Sequence, residues 1–530
     1  MSKLIRSLTA VAVFGTLAAC TDSPLEVENV NNPDTQRALK SPADVEKLIA
    51  DSYNLWFVGT HGDGTPGIYA QMSDAAFEHS AMAANFGMIE RSAMPRLAIN
   101  NNSADTYAAE YFELWKDNNS ALVSAALGLQ RYNDPAFTIG DADDDARAKA
   151  FAYLVLGLAH GSIAITYDSG SVIDPASFSA TETPPLVGYD SVMKAALNFL
   201  DKAIETSEGA SFTLPETWIN GNAMSADELA ALAHTYKAKY RAQVARTKAE
   251  RDAVDWSAVL ADANAGISST FEITMDDNIW YLLYSYYHSF FGAWNQMNYM
   301  FLGMADQSGR YQTWFNSADY MSRQPFVLVT ADRRFPSGTT AAEQADNPGL
   351  YLAYKGNSGG HVRAERGQWR WSFYEDERYA GFYETYQGPY PVVTTAEVDL
   401  LKAEALIRLN RVSEALPLIN ATRVANGQLP AVTGAGAVPG GNACVPKLPS
   451  GQCGDLFEAL KWEKRLETWG TGFGSWFLDA RGWNDLPKGT ALSWPVPARE
   501  LQVRQLPIYT TGGANQQSQT DTPTYPYPGS

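Results

Sequence analysis

From Thr394 to Gly427, apolar positions recur at three- and four-residue steps. Val398, Leu401, Ala405 and Leu409 share one face, widened by Leu400, Ala403 and Ile407. That period is helical, and so broad a stripe predicts a helix buried over more than half its girth. Thr394 three residues before Glu397 predicts a capping box at its start. After a turn at Asn410-Arg411, the series Ala415, Leu418, Ile419, Thr422 and Ala425 predicts a return helix. Pro417 is placed near the first turn of that helix, where a missing N–H does least harm, and Asn426-Gly427 is read as its left-handed exit. One hairpin cannot bury its own apolar surface, so others must stack against it.

The same period recurs elsewhere. Helices are expected from about 41 to 58 and from about 104 to 130, the latter as a partner to one of the others. Two further pairs are 145–170 with 189–207, and 225–244, opened by the capping box Ser225 and Glu228, with 255–267. His234, on a face of the helix at 225–244, is read as a core or surface histidine and not as a ligand. The acids Asp141 to Asp145 invite comparison with a calcium-binding EF-hand loop, but Ala146 stands where glycine is required and Ala152 where glutamate is. They are read as capping the helix that follows, against its positive end. Asp455 and Glu458 predict another capping box, opening a helical region at 455–483 in which Glu463, Lys464, Arg465 and Glu467 are spaced for ion pairs along the helix. The segment from about 512 to 530 has no period and reads as a loose tail. The fold class is mainly α, tetratricopeptide-like hairpins with long irregular loop inserts. The scaffold occupies about 41–58, 104–267 and 394–483 of a single domain at 41–530, with inserts at about 59–103 and 271–393.

Charge and targeting narrow the function. The formal charge of −19 and pI near 4.8 argue against nucleic-acid binding, which depends on a basic face. Lys3 and Arg6 precede an apolar run from Leu8 to Leu17, and Leu17-Ala18-Ala19-Cys20 has the pattern of a bacterial lipobox. Residues 1–19 are therefore expected to be a lipoprotein signal peptide, with Cys20 acylated and 20–40 a polar tether; several acyl chains on one residue suffice for lasting membrane attachment. An ordinary signal peptide with a nearby cysteine is the plainer alternative. The most apolar later stretch, Ala150 to Ile165, is interrupted by Gly157, His160 and Gly161 and reads as a buried helix. Cys444 and Cys453 lie in a Gly/Pro loop with no histidine nearby; in an exported protein they predict a structural disulfide rather than a metal site.

Candidate binding chemistry concentrates in the larger insert. Trp280, Tyr281, Tyr284, Tyr286, Tyr287, Phe290, Phe291, Trp294 and Tyr299 crowd one stretch with His288, Asn295 and Asn298, and Trp314 and Phe315 follow. Most of these rings are expected to fill the core beneath the insert, Phe290 and Phe291 among them. A minority of Tyr and Trp, beside Asn and His, are expected to face solvent, where an apolar face with a polar edge suits a sugar ring. The ligand-binding candidates are Trp280, Tyr284, Tyr287, Trp294 and Asn295, with Arg91 and Asn100 reaching in from the first insert. No HExxH or P-loop motif is present, which sets aside metalloprotease and nucleotide chemistry of the usual kinds. A glycoside hydrolase would need two carboxylates at a defined separation, which the sequence does not single out.

Several local patterns then follow one another in order. Asp399-Leu400-Leu401-Lys402-Ala403-Glu404-Ala405-Leu406 comes first, then Asn420, Arg423 and Gly427 spaced as Asn-x-x-Arg-x-x-x-Gly. Glu463-Lys464-Arg465 precedes Trp476-Phe477-Leu478-Asp479-Ala480-Arg481, and Pro495-Val496-Pro497 precedes Glu500. In this order, with the lipobox, a tether ending at Asn32-Pro33 and the pair Asp332-Arg333, the chain resembles the SusD/RagB family of outer-membrane nutrient-binding lipoproteins. It departs from the family pattern at Leu478, which intrudes before the Asp, and at Ser475, where Arg is usual. The resemblance implies four tetratricopeptide-like pairs with an irregular binding face and a non-catalytic role; no catalytic residue, cofactor or metal ligand is assigned. It also implies attachment to the outer membrane facing the exterior, as a lid on a SusC-like TonB-dependent transporter. The implied cargo is an oligosaccharide or another nutrient oligomer, peptides included. The family's motifs do not fix its ligand residues, so none is carried over.

Overall fold

Four helical hairpins stack in sequence, and each is held by the apolar stripe that predicted it. The computed structural model describes residues 39, 41–81, 86–179, 181–283, 295–319, 323–356 and 372–527. Its principal elements in chain order are α1 (Pro42–His61), β1 (His79–Ala81), α2 (Ala108–Gln130), α3 (Ala142–Thr166), α4 (Tyr189–Ser207), α5 (Ala226–Gln243) and α6 (Trp256–Ala265). There follow β2 (Phe271–Met275), β3 (Asn295–Met297), α7 (Arg310–Phe315), β4 (Gly388–Val393), α8 (Thr395–Arg408), α9 (Val412–Ala425), α10 (Leu456–Thr468) and α11 (Ser475–Gly482). The pairs are α1 with α2, α3 with α4, α5 with α6 and α8 with α9; contacts of α2 with α3, α4 with α5 and α6 with α8 join each pair to the next. The helix expected near 104–130 thus finds its partner in α1.

The centre of the frame is α3. Its apolar window is 89% buried, against α4 on one side and α2 on the other. Gly157 and Gly161 explain how its neighbours come so near. A methyl at Gly157 would lie 2.5 Å from Leu200 Cγ on α4, and one at Gly161 would collide with the Tyr240 ring on α5. His160 between them is fully buried and neutral: it pairs with the Leu156 carbonyl at 2.7 Å and accepts the Ile173 N–H at 3.0 Å, and burial lowers its pKa to about 4.

The larger insert leaves and re-enters the frame through one antiparallel ladder, with Phe271 opposite Val393 and Met275 opposite Gly388. Closing the base of the insert in this way lets α6 and α8 stack directly. A second ladder pairs β1 with β3, His79 opposite Met297 and Ala81 opposite Asn295, and so fastens the first insert to the second.

Several local expectations need correction. Glu397 does not close a capping box. Thr394 caps its N–H at 3.1 Å, but its carboxylate turns to Lys239 at 2.9 Å and Ser475 at 3.1 Å. Glu458 likewise turns to Lys461 and Tyr525, whereas Ser225–Glu228 and Asp141–Asp144 form boxes in both directions. Pro417 is the sixth residue of α9, inside the helix and not near its first turn. Asn426 stays right-handed, and the left-handed residue is Gln428, at φ 50°. Gly427 serves close approach instead, since a Cβ there would lie 3.1 Å from Arg334 Nη2. The tail is not loose: Tyr525 and Tyr527 are buried, and their hydroxyls donate to Glu458 and to the Asp485 carbonyl.

Candidate functional site

The β1–β3 ladder organises the ligand candidates, because it brings the two inserts to one place. Asn298, just beyond β3, donates to the His79 carbonyl at 3.3 Å and caps the helical turn at Tyr299. Asn295 opens β3 opposite Ala81. Tyr284, Tyr287 and Trp294 lie outside the described residues, as do Cys20, Tyr286, His288, Phe290 and Phe291.

Trp280 is not an open stacking platform. Its ring is 7% exposed and lies 5.5 Å from Phe57 and 6.1 Å from Tyr53, so it anchors the insert to α1. Arg91 is buried, donates to the Ala98 carbonyl at 3.1 Å, and has its pKa lowered by burial to about 10. Asn100 is exposed, donates to Asp105, and its carbonyl accepts the Tyr111 hydroxyl at 2.7 Å. Arg91 and Asn100 therefore share one loop; among the described residues no hydrogen bond or ring contact joins them to Trp280. Near Trp280 the rim is polar instead: Tyr281 donates to Asp63 at 2.9 Å and Lys116 to the same carboxylate at 3.1 Å. Burial there raises Glu113 to about 7.

An open pocket of about 430 Å³ lies further along the larger insert. Arg310, Thr313 and Trp314 line it at the i, i+3 and i+4 steps of one face of α7, and Ser317 lies just beyond the end of that helix. Ser308, Arg323, Gln324 and Phe326 complete the lining. Phe326 is held by Tyr299, directly after β3 and Asn298, through a ring stack at 4.4 Å and a hydrogen bond from its own N–H at 3.0 Å. Trp314 is 6% exposed and offers an edge rather than a face, because the Arg323 guanidinium lies over it at 4.8 Å.

The remaining faces of α7 show why it is rigid. Tyr311 and Phe315 point into the core. Gln312 and Asn316 donate to the carbonyls of Leu448 and Pro449, at 3.2 and 3.3 Å, in the loop closed by the Cys444–Cys453 disulfide. Gln307 donates to the Cys444 carbonyl at 2.8 Å. The spacing that marks this pocket is present in the sequence, but short helices give weak periodic signals and the denser aromatic stretch upstream obscured it.

The charged motif residues have another role. Arg334, not the exposed Arg333, is the partner of Asp332. Its guanidinium is fully buried and donates to Asp332 at 2.7 and 2.9 Å, to Glu463 at 2.6 and 3.1 Å, and to Glu467 at 3.2 Å. Glu404 accepts from Arg251 at 2.6 Å, Arg408 at 3.0 Å and the Trp483 indole at 2.9 Å, which holds its carboxyl well below the usual carboxylate range. Asp479 joins Arg251 at 3.0 Å to Lys464 at 2.7 Å, and Arg465 pairs with Asp485. Arg481 donates to the Ile165 and Gln243 carbonyls, at 2.9 and 2.8 Å. Glu463, Lys464, Arg465 and Glu467 therefore do not pair along their own helix. They bind helices together, so these groups belong to the frame and not to a catalytic centre.

Stacked hairpins carrying a closed-based, pocketed insert make this a tetratricopeptide-like helical-repeat protein. No family model matches the sequence and no curated protein matches it. Among solved structures it is similar to a SusD homologue from Parabacteroides distasonis, with TM-score 0.54 and 14% identity over 84% of this chain and 86% of that one. It is also similar to the Bacteroides fragilis protein NanU, with TM-score 0.53 and 12% identity over 91% and 98%, and to a SusD homologue from Bacteroides vulgatus, with TM-score 0.52 and 14% identity over 88% and 94%. The fold is SusD-like.

Proposed function

We propose that the protein is a non-catalytic, lipid-anchored nutrient-binding protein of the outer membrane. In this reading it captures an oligomer, glycan in the first instance, and passes it to a SusC-like TonB-dependent transporter. The observation that carries the reading is the SusD-like fold, which extends over at least 84% of the chain in the three structures compared. Two features support it: the lipobox at Cys20, and the two inserts fastened together beside an open pocket. The proposed contacts are the α7 pocket and, upstream, Tyr284, Tyr287, Trp294 and Asn295, with Arg91 and Asn100 on the adjoining loop. Trp280 is assigned to holding that stretch against α1.

Two measurements test this. Labelled palmitate should enter the native chain and not Cys20→Ser, and the anchored chain should co-purify with a large TonB-dependent barrel. A chain that acquires no lipid and releases reducing sugar from a glycan by itself would sink the proposal. If calorimetry with a bound glycan finds Tyr287→Ala and Trp294→Ala as tight as the native chain, those two contacts are wrong.

A further inference from the structure

The α7 pocket has an unusual balance of donors and acceptors for so acidic a chain. Its lining holds the exposed Arg310 and the buried Arg323, and no acid is among the described residues that line it. The larger groove between α4 and α5, about 640 Å³, is lined by aliphatic side chains and by the acids Asp190, Asp201 and Glu250 beside the bases Lys194 and Arg241. The contrast makes the α7 pocket a local exception to the net charge of −19.

Its hydroxyls are already committed as donors. Ser308 donates to Asp306 at 2.8 Å, Thr313 to the Gly309 carbonyl at 3.2 Å, and Ser317 to the Asp319 carbonyl at 3.3 Å. What they present to a ligand is lone pairs, which call for O–H donors on the ligand. Arg310 is exposed and gives one N–H to the Val327 carbonyl at 3.2 Å, so most of its five donors face solvent. A planar guanidinium fork matches a carboxylate. Phe326 and the edge of Trp314 supply apolar surface between the two.

A ligand that satisfies this pocket carries hydroxyl donors and a carboxylate on a compact apolar-faced unit. We propose that the α7 pocket binds a uronic-acid unit of an acidic oligosaccharide; this rests on the nutrient-binding reading above and names its substrate class. An acidic peptide supplies the carboxylate but not the hydroxyls.

The test is calorimetry of the purified full chain with trimers of galacturonate and mannuronate, the neutral galactose trimer, and a triglutamate peptide. An acidic trimer should bind, about tenfold or more tighter than the neutral one, and its affinity should fall with added salt. Arg310→Gln should weaken it by a similar factor with unchanged thermal unfolding, and Arg310→Lys should recover part of the loss. The proposal is overturned if the neutral trimer or the peptide binds as well, if Arg310→Gln binds undiminished, or if neither acidic trimer binds. Co-purification with a barrel is unaffected by any of these results, so the broader reading fails or stands separately.

Discussion

Replacing Arg334 by methionine keeps the length of the side chain and removes the charge on which three buried carboxylates converge. Arg334 makes five N–H···O contacts, to Asp332, Glu463 and Glu467, all inaccessible to solvent. The carboxylates keep some partners. Asp332 retains the Trp462 indole at 3.0 Å, Glu463 retains Thr422 at 3.0 Å, and Glu467 retains Tyr351 at 2.7 Å and Asn426 at 3.1 Å. These neutral donors, with Arg423 at 3.8 Å from Glu463 and Arg378 at 3.6 Å from Glu467, offset the lost counter-charge only in part, and removing one member of a buried ion pair costs about 3–5 kcal/mol. We expect Arg334→Met to lose about 4 kcal/mol, read from urea midpoints followed by both tryptophan fluorescence and far-ultraviolet circular dichroism. The pH dependence adds a second reading. Stranded carboxylates have folded pKa values above their unfolded ones, so the folded variant binds more protons than the unfolded chain and its stability falls as pH rises. The deficit should therefore shrink on going from about pH 7.5 to about pH 5.5, and adding Glu463→Gln should recover part of it. A variant within about 1 kcal/mol of the native chain, or a deficit that ignores pH, would refute this account of the network.

Two further outcomes follow from the same structure. Burial raises Glu78 to about 8 and Asp376 to about 7. Carboxyls with raised folded pKa values cost stability as pH climbs from about 5 to about 8, so the native chain should weaken across that window and Glu78→Gln should weaken less, by up to about 4 kcal/mol at the upper end; a flat native profile would contradict this. Converting Cys444 and Cys453 together to serine should lower stability by roughly 2–3 kcal/mol on the chain-entropy model and loosen α7, seen as faster amide exchange at Gln312 to Asn316. Unchanged exchange there would mean that the side-chain amides hold α7 without the clip.

The long helices were legible because their apolar stripes are wide, and three of the four hairpin pairings followed from proximity in the chain; that of α2 did not, because the first insert separates it from α1. What periodicity reports is a face, not the identity of what meets it. Glu397 and Glu458 stand at capping-box spacing yet reach across to Lys239 and Tyr525, because a partner that arrives from another helix competes with the local backbone. Asp332-Arg333-Arg334 illustrates the same limit: the sequence offers two adjacent arginines, and only the packing of α10 shows which one turns inward. Tyr525 and Tyr527 lie in a stretch without period, but two rings suffice to fasten it down. Trp280 has the composition of a binding residue and the surroundings of a core residue, a distinction that no spacing along one strand of sequence encodes.

The charges that give this chain its family-like signature are sealed inside the frame, where they join one helix to the next. Changes in the outer loops that spare Asp332 and Arg334 leave those joints untouched, so the pocket lining can vary while the recognisable residues stay put. Searching sequences with that signature would gather chains by shared architecture and say little about what each one holds in its loops.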